Sequence, residues 1–382
     1  MNSAQLWSPN FRRLALANFL LATSLYMLWP VLPLWIGQHC NVSPLCAGGI
    51  VALSGLAVYL TGPVLSYLVD RYRRKTVCLL GVLAVALTSA GYAFAQGLLL
   101  ILLLRLLQGM MAGLYAMASG GTLVIDITQS PNRTAANLVY AWCGRLGLAV
   151  GPFVGLLLQE FFPLQTILLV SAGLSLVALA LVFLLHIPFR APLAPPLFSL
   201  DRFLLSNGWL MFLNLLLVAV PTGIMLGVVR SYTFFGVLVI GFLLAILALK
   251  FVFTDADIRS EVVSGLILYG CAMLLQISHH EEMAFYTSAI LVGLGLGLIL
   301  PKLQFFFIEL SEHCERGSAN NMYYLGWEFG IALGFFIGFV GIENTWLKST
   351  TSGYIIVLML LIAALGLYLL LVHPWFMKHK RR

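Results

Sequence analysis

Twelve apolar runs of about 20 residues divide this sequence, and a water-soluble fold has no means of burying so many. They fall near residues 14–37, 45–68, 76–96, 98–125, 135–158, 163–186, 208–228, 231–253, 261–278, 283–308, 318–340 and 351–373. At 1.5 Å per helical residue each run crosses the roughly 30 Å hydrocarbon core of a bilayer. Within that core every backbone N–H and C=O must be satisfied inside the segment, so the runs are predicted to be helices. Composition agrees: 61% of residues are hydrophobic and 9% charged, against about 45–50% and 25% in soluble domains. The expected fold is an all-α membrane protein of twelve transmembrane helices. No short apolar run ends in a small-residue cleavage site, so the first run is read as a retained span rather than a leader.

Charge sets the expected orientation. Sixteen of the 21 Lys and Arg fall before the first run, after the last, or in the connections that share their side; Arg230 and Lys348 lie opposite, and Arg105, Arg145 and Lys302 lie within runs. This bias predicts both termini in the cytoplasm and a multi-pass protein of a cell inner (plasma) membrane. The net charge of +7 is then topological and gives no reason to invoke nucleic acid. Cys40 and Cys46 share one short connection, a spacing open to a disulfide or to two free thiols. Cys78, Cys143 and Cys271 read as small hydrophobes within runs, and His186, His279 and His280 as solvated residues at run ends.

The chain is internally duplicated. Shifted by 183 residues, Arg133–Gly155 falls on Arg316–Gly338 without a gap, and Arg, Ala, Asn, Tyr, Gly, Ala, Gly, Phe and Gly coincide, nine of 23 positions. This predicts two six-helix bundles, residues 1–187 and 208–382, joined by a Pro-rich cytoplasmic linker at 188–207. Parallel repeats of this kind are one way secondary transporters are built, with the substrate site near the midplane between halves. No phosphate-binding loop, metal-ligand cluster or nucleophile motif accompanies them. Neither an ATP-driven pump nor an enzyme therefore has a site, and no cofactor or metal is expected.

Three motifs lie on the appropriate runs. Ser66-Tyr-Leu-Val-Asp70-Arg71-Tyr-Arg73-Arg74-Lys75 joins the second and third runs and resembles the GxxxD-R-x-G-R-K signature of the major facilitator superfamily. Leu104-Arg105-Leu-Leu-Gln108-Gly109 is similar to its RxxQG motif in the fourth span. Gly147-Leu-Ala-Val-Gly151-Pro152-Phe-Val-Gly155 resembles the antiporter motif of its twelve-span drug:proton antiporter branch. Asp126 with Arg133 is similar to the acidic and basic pair after the fourth span. The resemblance implies that Asp70, Arg71, Arg74, Asp126 and Arg133 form a gating latch, that Arg105 takes part in proton coupling, and that the protein works as a monomer. Ser66 and Arg73 stand where the family has glycines, which changes the geometry expected of that loop.

Each motif also has a plainer reading. The basic loop residues also fix topology. Arg105 lies about 10 Å inside its run and is costly there unless paired; capping the carbonyls of a neighbouring broken helix would serve. Gly147, Gly151 and Gly155 form a smooth stripe for close helix approach, kept in the second copy as Gly330, Gly334 and Gly338. Pro152 is not repeated, so the kink it causes belongs to the first half.

The duplicated segments differ most at one position, where Arg145 in the first copy meets Glu328 in the second. Both lie about 15 Å into their runs, near midplane. In one reading Glu328 carries a proton and Arg145 sets how readily it does so, since burial disfavours a charged carboxylate and a nearby cation favours it. In a second, Arg145 binds an anionic or polar substrate group, alone or with Glu328. In a third the pair is a fixed bridge. Of 14 Asp and Glu, the other thirteen fall in connections or at run ends, which favours the first. Glu328-Phe-Gly330-Ile-Ala-Leu-Gly334 also resembles the acidic motif that drug antiporters of the superfamily carry in their eleventh span. Gln108, Tyr115, Trp142, Tyr324 and Trp29 are candidates for the cavity lining, while aromatics in a helix bundle equally serve as packing or as interfacial belts.

The reading that results is proton-coupled efflux of small amphiphilic organic compounds by alternating access, with substrate, protons and membrane lipid as partners. An importer of a polar or anionic metabolite anchored on Arg145, and a lipid flippase or non-transporting receptor on the same fold, remain alternatives.

Overall fold

The computed structural model describes residues 6–187, 196–198, 204–254, 257–279, 281–312, 315–344, 346–347 and 349–380, the side chains of 60 and 61 excepted. Most of the expected linker, and with it His280, Cys314 and Lys348, lies outside the described residues. Those described form helices and short connections, with no strand among them.

With the broken first helix counted once, the described residues form twelve long helices. Helix α1a is Pro9–Tyr26 and α1b Leu32–Cys40; α2 is Pro44–Arg71, α3 Arg74–Gly91, α4 Leu98–Ala118, α5 Arg133–Phe161 and α6 Leu164–Phe183. The second set is α7 Trp209–Val228, α8 Tyr232–Phe251, α9 Ile258–Ser278, α10 Glu282–Leu310, α11 Arg316–Glu343 and α12 Thr350–Leu367. Among the described residues ten helices are long and apolar enough to cross a membrane, and α2 makes an eleventh once its bend is allowed. The first crossing differs from the continuous helix expected over 14–37. It breaks at 27–31 into α1a and α1b, because Pro30 and Pro33 supply no N–H to the helical ladder. Helix α2 bends by 52° between Tyr59 and Gly62, where Pro63 removes the bond to the Tyr59 carbonyl. Helix α4 opens into a π-turn at Ser119–Leu123 before Asp126, and α12 into another at Tyr368–Val372 before a short helix, His373–His379.

Caps fit the local sequence. Ser8 accepts from the Phe11 N–H at 3.2 Å, and Asp257 from the Ser260 N–H at 2.9 Å. Large apolar side chains such as Leu87, Phe183, Ile240, Met359 and Leu370 point outward and exposed, as a lipid-facing surface requires.

The duplication reappears in the packing. Helix α1a lies on α5 and α6, α2 on α4, and α3 on α4 and α6. In the second set α7 lies on α11 and α12, α8 on α10, and α9 on α10 and α12. The sets join through α2 with α11 and α5 with α8, which are equivalent contacts under the repeat. The glycine stripe serves contacts inside each set: Gly147, Gly151 and Gly155 face α1a, while Gly330, Gly334 and Gly338 face α7. At Gly151 an added Cβ would lie 2.8 Å from the Met27 nitrogen and from the Tyr26 Cβ, so only glycine permits this approach.

Candidate substrate and proton site

Between the two sets lies a cavity of about 110 Å³, room for several waters or a small organic group. The sets touch on either side of it. Toward the face bearing both described chain ends, here the basic face, Gly121 abuts Gly317 and Gln304 donates to the Asn137 carbonyl at 3.4 Å. Toward the opposite face Gly48 meets Phe339 and Val340, and Gly236 meets Phe153.

The duplicated position delivers opposite charges to one point. The Arg145 Nη1 lies 3.5 Å from the Glu328 Oε1, at the outer limit of a hydrogen bond. Glu328 is held more tightly by Tyr26, whose hydroxyl donates to the same oxygen at 2.6 Å. The guanidinium is held by ring faces: it sits 4.7 Å from the Trp327 centroid and 5.2 Å from that of Tyr323, cation–π contacts favoured where water is excluded. Its Nε is buried without a partner. Arg145 comes from α5 of the first set and Glu328 from α11 of the second, with Tyr26 at the end of α1a just before the break. Any motion of one set against the other must therefore stretch the 2.6 Å and 3.5 Å contacts together.

Arg105 is 1% exposed and its charge is distributed among neutral partners. Its Nε donates to the Val51 carbonyl at 3.1 Å, its Nη1 to the Gln108 Oε1 at 2.8 Å, and the guanidinium lies 5.3 Å from the Trp29 centroid. The carbonyl belongs to α2, eight residues before Tyr59 where the bend begins. Gln108 also accepts from Tyr92 and donates to Ser89 at 2.9 Å. From Ser89 the hydroxyls of Ser171, Ser24 and Ser175 continue the network through α6 and α1a, all buried. Arg105 is thereby tied into the core of the first set while its other side lines the cavity.

Arg105, Gln108, Tyr115, Arg145, Tyr324, Glu328 and Trp29 all border the cavity. Trp142 does not. It turns from the cavity to pack on Phe242, centroids 4.9 Å apart, at the α5–α8 contact. Its three-residue spacing from Arg145 placed both on one broad helix face, and the width of that face separates them. Sequence reasoning missed Tyr26, Tyr323, Gln304 and Asn320, which also line the cavity. The repeat marked two of them, since Tyr323 pairs with Tyr140 and Asn320 with Asn137. It also missed that Lys302 bonds Glu261 at 2.9 Å inside the second set, with Glu261 almost wholly buried at the start of α9.

At the basic face Arg74 donates to both oxygens of Asp126, at 2.7 and 2.8 Å, linking the α2–α3 and α4–α5 connections. Asp126 thus takes Arg74 as its bonding partner, with Arg133 near enough to add its charge. Arg71 stacks on Tyr67, 5.3 Å from its centroid, and Asp70 ends α2 half-buried. Pro152 lies inside the continuous α5. Cys40 and Cys46 are free thiols, and among the described residues no three His, Cys, Asp or Glu side chains gather as a metal would need.

Two sets of six apolar helices around a charged cavity define a multi-pass membrane protein of transporter architecture. The profile of the Major Facilitator Superfamily matches residues 14–254, and the chain belongs to that family. It is 28% identical over 189 residues to the multi-drug resistance efflux pump PmrA of Streptococcus pneumoniae, covering 48% of this chain and 47% of the pump. It is 31% identical over 189 residues to the PmrA homolog of Lactococcus lactis, covering 48% and 46%. The chain spans about half the length of the relatives it matches. In three dimensions it is similar to the human organic anion transporter MFSD10 (TETRAN), with a TM-score of 0.72, 16% identity, and 94% and 98% of the two chains covered. The nucleoside transporter NupG is also similar, with a TM-score of 0.62, 15% identity, and 93% and 99% covered. At such identity these two likenesses concern the fold alone. The family and these relatives are transporters, not enzymes.

Proposed function

We propose that the protein exports small amphiphilic organic compounds in exchange for protons. Residues 1–187 and 208–382 would rock about the cavity, with both termini in the cytoplasm. The observation that carries the reading is the placement of Glu328 on the cavity wall, bonded across the set interface to Tyr26 and loosely to Arg145. A carboxylate so placed gains or loses its partners as the halves move, and with them its hold on a proton. Substrate that draws Arg145 away leaves Glu328 with a weaker reason to stay ionised, which couples binding to proton uptake. Arg105, fixed in the core of the first half, faces the same space and opposes a second cation there. The Arg74–Asp126 bond, with Asp70, Arg71 and Arg133 around it, serves as the cytoplasmic latch. The efflux pumps among the relatives support drug-like amphiphiles as substrates.

A second reading rests on the charge balance of the cavity wall, where Arg105 and Arg145 outnumber Glu328. An anionic substrate group would then sit at Arg145. In proteoliposomes an imposed pH gradient should drive flux of a fluorescent amphiphile through the parent protein. Glu328→Gln should abolish gradient-driven flux yet retain binding. Undiminished proton-driven flux in Glu328→Gln would refute the coupling role.

A further inference from the structure

Eight residues from each member of the charge pair, the repeat has kept an asparagine: Asn137 before Arg145 and Asn320 before Glu328. On a helix that separation is about 12 Å toward the basic face. Between the two helices α10 inserts Gln304. Its Nε2 donates to the Asn320 Oδ1 at 2.9 Å and to the Asn137 backbone carbonyl at 3.4 Å.

The three amides are 1%, 4% and 6% exposed for Asn137, Gln304 and Asn320. They nonetheless leave four polar atoms without a partner: both side-chain atoms of Asn137, the Gln304 Oε1 and the Asn320 Nδ2. Each such buried atom is costly, and apolar side chains of similar size would avoid the cost. Gln304 and Asn320 also line the cavity that holds the charge pair. None of the three is a charge, so they offer paired donors and acceptors to a group that is itself neutral.

We propose that Gln304 and Asn320, backed by Asn137, form a second, uncharged subsite that takes a carboxamide or hydroxyl group of a substrate whose charged end sits at Arg145 and Glu328. The substrate class is then an elongated amphiphile with a charge at one end and a neutral hydrogen-bonding group about 12 Å away. A purely apolar tail would leave the amides unmatched, and a second charge would find no counter-charge there. The long Gln304–Asn137 bond crosses between the halves, so a ligand that replaces it also loosens the closure on the basic face. The inference rests on the transport reading above for the placement of the charged end.

Graded alkyl chains test it. One end carries trimethylammonium or carboxylate, the other carboxamide or methyl, and affinity is read from the concentration dependence of thermal stabilisation of the purified protein. Carboxamide members should bind about tenfold more tightly than their methyl twins, and only at lengths that span about 12 Å. Gln304→Leu and Asn320→Leu should remove that preference, weakening the carboxamide members and tightening the methyl twins, whose tails no longer face unmatched amides. If those variants do not fold, the length-dependent preference of the parent decides the matter alone. Equal affinity of carboxamide and methyl twins at every length overturns the subsite and leaves the charged-end reading standing. No stabilisation by any of the series overturns both.

Discussion

Gly151→Ala ties the helix packing to the site. The added methyl would lie 2.8 Å from the Met27 nitrogen, 2.8 Å from the Tyr26 Cβ and 2.9 Å from the Thr23 carbonyl oxygen. Carbon contacts relax at about 3.5–4.0 Å, so α1a must retreat by roughly 1 Å. Two of the three obstacles are backbone, and no side-chain rotation relieves them. Overpacking of this kind costs about 1–3 kcal/mol. The retreat also carries Tyr26 from Glu328, stretching a 2.6 Å bond toward the limit at which it ceases to be one. A hydrogen bond to a charged group adds about 1.5–3 kcal/mol when lost. The control is Gly173→Ala on α6, where nothing lies within 4 Å of an added Cβ and alanine should help a helix by up to about 1 kcal/mol. Thermal melts of detergent-purified variants at one scan rate compare the two, and the pH dependence of proteoliposome flux reports on Glu328. Gly151→Ala should melt lower than the parent and shift the pH profile, with Gly173→Ala unchanged in profile and equal or higher in melting. Equal melting of Gly151→Ala and Gly173→Ala would mean that the close α1a–α5 approach is not what sets Tyr26.

Three further outcomes follow from named contacts. Lys302→Met strands the buried Glu261 and should cost about 3 kcal/mol, at the lower end for a buried pair because Lys302 is one-quarter exposed. The double variant Glu261→Gln with Lys302→Met should recover most of this in the same melts. Arg74→Ala removes a two-oxygen bond to Asp126 from a partly exposed site, so stability should fall by no more than about 1 kcal/mol while flux falls substantially; unchanged flux would argue against the latch. The Asp257 carboxyl is held below its ordinary range by the Ser260 hydroxyl and then by the Ser260 N–H. Its capping contribution is therefore full above the ordinary aspartate range near pH 4 and fades as pH falls through the lowered value. Asp257→Asn should flatten that segment of the stability–pH curve relative to the parent, as read by melts across acidic buffers.

Much of the architecture was legible because it follows from one-dimensional quantities. Run length marked the long apolar helices, the Lys and Arg distribution gave an orientation to test, and self-similarity at 183 residues marked α5 and α11 as equivalent, which their packing on α1a and α7 reflects. The break in the first crossing was also written in Pro30 and Pro33, but a hydropathy window averages over two prolines. Trp142 and Tyr26 escaped for a different reason. Helical periodicity assigns a residue to a face about 100° wide, and within that width lie both the cavity and the neighbouring helix.

Residue counts and self-comparison along the chain thus establish that it is apolar enough to span a membrane, that one segment of it is duplicated, and that a cation and an anion stand at matching positions of the two copies. That these charges meet, that Tyr26 holds Glu328 more closely than Arg145 does, and that Trp327 and Tyr323 hold the guanidinium all follow from the packing of the helices. Depth along a helix depends on residue count, whereas contact across helices depends on the rotation of each about its axis. That rotation is set by glycine stripes and bulky neighbours on several helices at once, and no single segment contains the information.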